Sequence, residues 1–465
     1  RSPGAWVVIL ILVALAALGS AYQPLTPVGA SSPAEGDSEL TDFRAVVKRA
    51  KDAVFPSLVF IKVIQESHDS GKRSSRDVSG SGVIVSAAGE ILTNWHVIEK
   101  ASRVRCLLQD GRAFAAQIVG SDKDLDLALL RLELPSDAAP IPFATIGDSD
   151  HLEEGEFVMA MGAPWGLARS VSIGIVSCTR RFLPEASEYA LWLQTDTSIS
   201  PGNSGGPLVD TAGHVVGLNT RGVLYGGDMG FALPSSVMLE VLPRLREHGS
   251  AHWSWTGIHL QPLRDFARDM YFDADEGVIV ASTDPESPGR RAGLLTRDRI
   301  VRIKGEPVTA VSDEDLPAIR RKLALLPRGE PVSIDVVRAG ETLSLELVPR
   351  EKGRVEGEAL DCPRWDLTLK AINRFENPEL HFYRAEGVFV YGVRSPGNAS
   401  SAGLETQDIL IAIDGEEVRT LDDVRAIHAR SLENIRRQRR VLLTILRGGQ
   451  RRQLVLDISR DWERK

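Results

Sequence analysis

Cysteine is scarce in this chain: Cys106, Cys178 and Cys362 are three residues among 465. They are scattered and show no metal-ligand spacing, so neither a metal nor a cofactor is expected, and the odd count leaves at least one thiol unpaired within the chain. Cys106 and Cys178 lie in apolar, strand-like runs and read as small buried residues; a pairing between them stays open. A long basic block is also missing, and the net charge is −8. Both argue against nucleic acid as a partner. The short clusters Arg436-Arg437-Gln438-Arg439-Arg440 and Arg451-Arg452 read as solvated surface. What is present is ordinary for a globular protein that buries real cores: 43% hydrophobic and 25% charged residues, in a length that suits about three domains.

One apolar run marks the beginning of the chain. Ala5 to Leu18 is uninterrupted, Arg1 supplies a positive flank, and Gly19-Ser20-Ala21 puts small residues where a signal peptidase reads. Residues 1–21 are expected to be a cleaved signal peptide or a retained single anchor, the run being barely long enough to span a membrane. Either way the body is exported. Residues 22–40, rich in Pro, Ser, Ala and Gly, read as a flexible tether. Phe43, Val46, Val47 and Ala50 at helical spacing behind Thr41 predict a helix to Ala53, ended by Pro56. Strand and turn signals then continue from Leu58 to Leu218. Met238, Val241, Leu242 and Leu245 predict a helix over 234–248, with a kink near Leu239 caused by Pro243.

The stretch Gly202-Asn203-Ser204-Gly205-Gly206 carries the chemistry. A serine hydroxyl is inert at neutral pH until a base and an anion site surround it. Glycines at 202, 205 and 206 permit backbone conformations that side chains forbid, so the N–H groups of Gly202 and Ser204 can face a developing oxyanion. Upstream, His96 sits just past the second strand of a hairpin, and Asp126 leads into the apolar strand Leu127-Ala128-Leu129-Leu130. The chain order His96, Asp126, Ser204 matches that of a nucleophilic triad on a double β-barrel.

Thr93-Asn94-Trp95-His96-Val97-Ile98, Asp126-Leu127-Ala128-Leu129-Leu130 and Gly202-Asn203-Ser204-Gly205-Gly206-Pro207 resemble the three catalytic blocks of the HtrA/Deg serine proteases. Gly162-Ala163-Pro164-Trp165-Gly166-Leu167 and Gly230-Phe231-Ala232-Leu233-Pro234 resemble two further blocks of that family. The resemblance implies a mainly β chain: a chymotrypsin-like double barrel over residues 41–250, followed by two α+β PDZ domains. It also implies an oxyanion hole at Gly202, Asn203 and Ser204, and assembly as a homotrimer or larger homo-oligomer.

A degenerate repeat supports the second half of that expectation. Ser287-Pro288-Gly289 with Ala292-Gly293-Leu294 and a Gly305-Glu306 turn recurs as Ser395-Pro396-Gly397, Ala402-Gly403-Leu404 and Gly415-Glu416. The two copies, 251–352 and 360–460, look like PDZ domains, which add an extended peptide to a sheet edge and hold its C-terminal carboxylate with backbone N–H groups. Trp255-Thr256-Gly257-Ile258 matches the carboxylate block in the first copy and Trp365-Asp366-Leu367 in the second. Asp366 there replaces a small residue and would repel a bound carboxylate.

For the substrate pocket, Ser198 stands where a trypsin-like enzyme places an acid; Gly217 and Leu218 are counted with it, and Asn219 and Thr220, in the following loop, add polarity but no charge. The absence of charge implies cleavage after small or medium aliphatic residues. Arg180 to Tyr189 resembles the family's loop that senses a PDZ-bound peptide. The leading expectation is an exported, ATP-independent serine endopeptidase for misfolded envelope proteins, with unfolded chains and C-terminal peptides as partners. A membrane-anchored regulatory protease and a peptide-holding scaffold or chaperone are the alternatives.

Overall fold

The computed structural model describes residues 42–163, 169–184, 186–200, 202–222, 229–265, 275–353 and 357–462. The expected leader, the tether, Thr41 and Pro164–Leu167 of the Gly162 block lie outside them. Among the described residues no helix is long and apolar enough to cross a membrane. The chain divides into a short unit, residues 1–45, and a large one, residues 46–465, which holds every described strand. Helix α1 (Phe43–Val54) enters the large unit, and a 3-10 turn over Phe55–Ser57 succeeds it, as Pro56 requires.

Twelve strands form two closed barrels. The first contains β1 (Leu58–Ser67), β2 (Ser74–Ile84), β3 (Glu90–Thr93), β4 (Ala101–Leu107), β5 (Ala113–Asp122) and β6 (Leu127–Leu132), in the order β1-β2-β3-β6-β5-β4. The second contains β7 (Phe157–Gly162), β8 (Ser170–Phe182), β9 (Leu191–Thr195), β10 (Pro207–Val209), β11 (Val215–Gly222) and β12 (Gly230–Pro234), in the order β10-β11-β12-β9-β8-β7. Closure removes the sheet edges that would otherwise invite aggregation. Val59, Ile61, Val63, Ile91 and Leu130 fill the first barrel; Val158, Ala160, Leu193, Leu208 and Val216 fill the second. Leu92, Leu127 and Leu129 of one barrel pack with Leu218 and Leu233 of the other, which presses the two together along the line where the site lies. A short helix, α2 (Trp95–Ile98), follows β3.

Helix α3 (Ser235–His248) leaves the second barrel and packs Met238, Val241 and Leu245 into the same shared core. It runs unbroken through Pro243. The carbonyl that the missing N–H would have bonded belongs to Leu239, which is exposed, so water can satisfy it. Gly249, at φ +73°, ends the helix by donating to the Leu245 carbonyl.

Two α+β units follow. The first consists of β13 (Ser254–Trp255), β14 (Ile258–Gln261), β15 (Val278–Thr283), helix α4 (Pro288–Arg291), β16 (Arg299–Ile303), β17 (Glu306–Pro307), helix α5 (Leu316–Ala324), β18 (Val332–Arg338), β19 (Glu341–Leu347) and β20 (Arg350–Glu351). The second consists of β21 (Ala359–Cys362), β22 (Leu367–Ala371), helix α6 (Pro378–Tyr383), β23 (Val388–Val393), helix α7 (Asn398–Ser401), β24 (Ile409–Ile413), β25 (Glu416–Glu417), helix α8 (Leu421–Glu433), β26 (Arg440–Arg447) and β27 (Gln450–Asp457). All three cysteines are free, which settles the question of a Cys106–Cys178 pair, and burial pushes the Cys106 thiol up to about 12.

Candidate active site

Neighbouring strands bring His96 and Asp126 together. β3 pairs with β6 through Thr93 and Ala128, so the residues just after one strand and just before the other meet. Asp126 takes φ +52°, a left-handed conformation that Asp tolerates better than most side chains. Its carboxylate accepts from the His96 backbone N–H at 2.9 Å (Oδ1) and lies 2.8 Å from the His96 ring Nδ1 (Oδ2). The Thr220 hydroxyl also donates to Oδ2, and the Asn94 amide holds the Asp126 carbonyl at 3.0 Å. A carboxylate held this firmly takes the Nδ1 proton as a hydrogen bond and leaves Nε2 free to act as a base.

Ser204 stands on a turn closed by the Asn203 N–H bonding the Ser200 carbonyl at 2.9 Å, with Gly202 at φ +103°. A φ this positive favours glycine. Gly205 has no room for a Cβ, because the Ser81 carbonyl and the Thr93 hydroxyl already occupy that space. The Ser204 hydroxyl donates to the Thr220 carbonyl at 3.1 Å. Thr220 therefore touches both the acid and the nucleophile.

The chain is similar to known proteins over both its barrels and its α+β units. Residues 80–218 match the trypsin-like peptidase domain, and residues 279–338 and 368–458 each match a PDZ domain. A probable periplasmic serine endoprotease, DegP-like, from Halomonas elongata is 36% identical over 351 residues, 74% of this chain and 72% of the relative. This chain belongs to the HtrA/DegP family of serine endoproteases. The periplasmic serine endoprotease DegP of Escherichia coli is 30% identical over 381 residues, covering 80% of this chain and 76% of its own length. The solved structure of the HtrA-type protease AlgW with a tripeptide matches with a TM-score of 0.58 at 32% identity, covering 66% of this chain and 97% of AlgW. The relatives are periplasmic by name, and this HtrA-type endopeptidase is a protein of the periplasm or cell envelope.

The other expected site residues of this protease divide into those the fold brings together and those it spends elsewhere. Asn203 precedes Ser204, and its amide is committed to the Ser200 carbonyl. Ser198 is exposed and its carbonyl accepts from the Ser172 hydroxyl at 2.8 Å. Leu218 is fully buried in the shared core, Gly217 packs against the Leu233 carbonyl, and the Asn219 side chain donates to the Pro207 carbonyl at 2.9 Å. Thr220, expected in the pocket, turns its hydroxyl to Asp126.

The two PDZ units of this protease differ at the edge where a peptide would add. In the first, Trp255, Thr256, Gly257 and Ile258 lead into β14, an edge strand in the order β14-β15-β16-β18-β19. Thr256, Gly257, Ile258 and Leu323 of that unit line a cavity of about 630 Å³, closed on its other side by Glu188 and Tyr189 of the protease barrel. In the second, β22 is paired on both sides, with β23 and with the chain's own β21, from Ala359 opposite Lys370 to Cys362 opposite Leu367. Cys362, Trp365 and Leu367 pack in one core with Val424 and Ile427 of α8. Asp366 is buried, accepting from the Asn398 N–H at 2.9 Å and from Arg394 at 3.2 Å. Trp365, Asp366 and Leu367 thus surround an internal strand rather than an open groove. The Asp366 carboxylate is neutralised within its own unit, so the expected repulsion of a ligand is not what closes this site.

Proposed function

We propose that this protein is an exported, ATP-independent endopeptidase that degrades misfolded or unfolded envelope proteins through an acyl-enzyme. The observation that carries the reading is the bonding of His96 to Asp126 beside a serine on a Gly-Asn-Ser-Gly-Gly turn. In this reading the Ser204 side chain rotates from the Thr220 carbonyl toward His96 Nε2, a fast rotamer change. His96 takes the hydroxyl proton as Ser204 attacks the peptide carbonyl, and Asp126 stabilises the imidazolium. The amides of Gly202 and Ser204 receive the oxyanion. His96 then gives its proton to the leaving amine, and water completes the hydrolysis of the ester. Ser198 puts a neutral residue where a trypsin-like enzyme has an acid, which suits small or medium aliphatic residues before the cut bond.

The proposed organisation is a leader at 1–21, a tether at 22–40, a protease domain at 41–250 and PDZ domains at 251–352 and 360–460, assembled as a trimer or larger. We assign peptide capture to the first PDZ domain, where the edge of β14 is open and the groove backs onto the loop before β9. A C-terminal peptide seated there would press on Glu188 and Tyr189, which gives that loop the means to sense it. Hydrolysis of unfolded casein by the purified chain, with and without a peptide ending in hydrophobic residues, tests the reading. Ser204→Ala is expected to lose at least a thousandfold in rate while keeping the thermal midpoint. Wild-type-like cleavage by Ser204→Ala would refute the assignment; peptide-independent activity would make the PDZ domains tethers. A folded wild-type chain that cleaves nothing would favour the scaffold.

A further inference from the structure

Ser81 lies on β2, in the barrel opposite the nucleophile, and is fully buried. Its backbone N–H donates to the Ser204 carbonyl at 2.9 Å. Its hydroxyl donates to the Gly202 carbonyl at 2.5 Å and accepts from the Ala163 N–H at 2.8 Å. Its own carbonyl accepts from the Thr93 hydroxyl at 2.7 Å, two residues before the helix that carries His96 is entered. One side chain and one amide from the first barrel therefore hold the carbonyls on either side of Asn203. Nothing in the sequence separates Ser81 from the serines at 79 and 86; its role comes from its placement.

The geometry points to Ser81 as a positioning residue for the oxyanion site. The peptide plane between Gly202 and Asn203 is fixed at both ends, its carbonyl by the Ser81 hydroxyl and its N–H by the Ser200 carbonyl. Glycine supplies no side chain to resist rotation, so without these two bonds the Gly202 backbone has several accessible conformations. Only some of them aim its N–H at the attacked carbonyl. The Ser81 amide fixes the Ser204 carbonyl in the same way, and so limits the swing of the residue that carries the second oxyanion amide. The Ala163 N–H, at the end of β7, completes the tie between the barrels. Losing the hydroxyl would leave the half-buried Gly202 carbonyl without this donor and the turn free to seek another. Such a change weakens an anion site formed in the transition state more than it weakens the binding of an uncharged substrate.

This inference rests on the reading of Gly202 and Ser204 as the oxyanion amides. The test compares Ser81→Ala with the wild-type chain on a peptide substrate and with a peptide boronic acid. The boron becomes tetrahedral and anionic on bonding Ser204, so its affinity reports on the oxyanion site. Rates are taken per active site, well below the thermal midpoint. We expect kcat to fall at least tenfold, KM to change less than twofold, and boronate affinity to fall in parallel with kcat. Ser81→Thr, which keeps the hydroxyl, should recover most of both. Wild-type kcat in Ser81→Ala overturns the inference. So does a loss of kcat with unchanged boronate affinity, or a loss that Ser81→Thr repeats while remaining folded. If the boronate fails against the wild-type chain, the nucleophile reading itself falls, and that outcome is distinct from a failure of Ser81.

Discussion

At the scale of the residue, chain order and a few neighbours single out His96, Asp126 and Ser204 as the proposed triad. His96, Asp126 and Ser204 each sit in a short block whose residue types are demanded by the chemistry, and the fold brings His96 and Asp126 into contact. Thr220 and Ser81 were not legible in the same way. A buried hydroxyl acquires its function from what lies across the barrel, which no local pattern states. Thr220 is buried with its hydroxyl on Asp126 and its carbonyl on Ser204. Thr220→Val keeps the shape and the carbonyl but removes the donor to Asp126. Losing one hydrogen bond to a buried charge costs about 1.5–3 kcal/mol, so kcat/KM should fall about tenfold or more, with a smaller change in the thermal midpoint. Steady-state cleavage of a peptide substrate decides the matter; unchanged kcat/KM would mean that the remaining bonds to Asp126 suffice to orient His96.

At the scale of the element, the repeat in the sequence correctly announced two similar α+β units, because strand, Ser-Pro-Gly turn and Ala-Gly-Leu turn recur at matching spacing. The difference between them lay beyond the repeat. Residues 359–362 precede the recurring segment and show no strand partner in sequence, yet they pair with β22 and pack under α8. The same limit holds for Leu218, expected at the substrate pocket: no local pattern states that it joins the core shared by the two barrels. The occupied edge of the second unit leads to a measurable outcome. A labelled peptide with a hydrophobic C-terminus should bind the intact chain with one site per chain, and Ile258→Asp, at the head of the open strand β14, should remove all of it. Two sites per chain, or binding that survives Ile258→Asp, would show that β21 yields its place.

At the scale of the whole molecule, the junction between the protease barrels and the PDZ units converges on Lys352. Its ammonium donates to Asp124 at 2.6 Å and to the Tyr189 hydroxyl at 3.1 Å. Tyr189 stacks on Trp253 at 4.9 Å between centroids, and the Trp253 indole N–H donates to Asp122 at 2.7 Å. Asp122 ends β5 and Asp124 lies in the turn that runs from it to Asp126, so the segments entering and leaving the first PDZ unit grip the approach to the proposed triad acid. Burial alone would lower the Lys352 ammonium, but Tyr189 and Asp124 outweigh it and hold it above its ordinary value. Burial, and then the charge of Asp124, push the Asp122 carboxyl from 3.8 up to about 7. With the folded value above the unfolded one, the contribution of this carboxyl is present in acid and is lost as the pH rises through about 7. Lys352→Met leaves Asp124 without its cation and should cost about 3 kcal/mol, seen as a lower thermal midpoint of the intact chain. The loss should be larger at pH 8 than at pH 6, because the Asp122 carboxyl, raised to about 7, carries its charge at pH 8. Lys352→Met with Asp124→Asn should restore much of the midpoint, since the buried charge leaves with its partner. An equal loss at both pH values, or no restoration in the double variant, would mean that the cation acts through packing on Tyr189 and Phe375, whose rings it overlies at 4.7 and 5.7 Å, rather than through its charge.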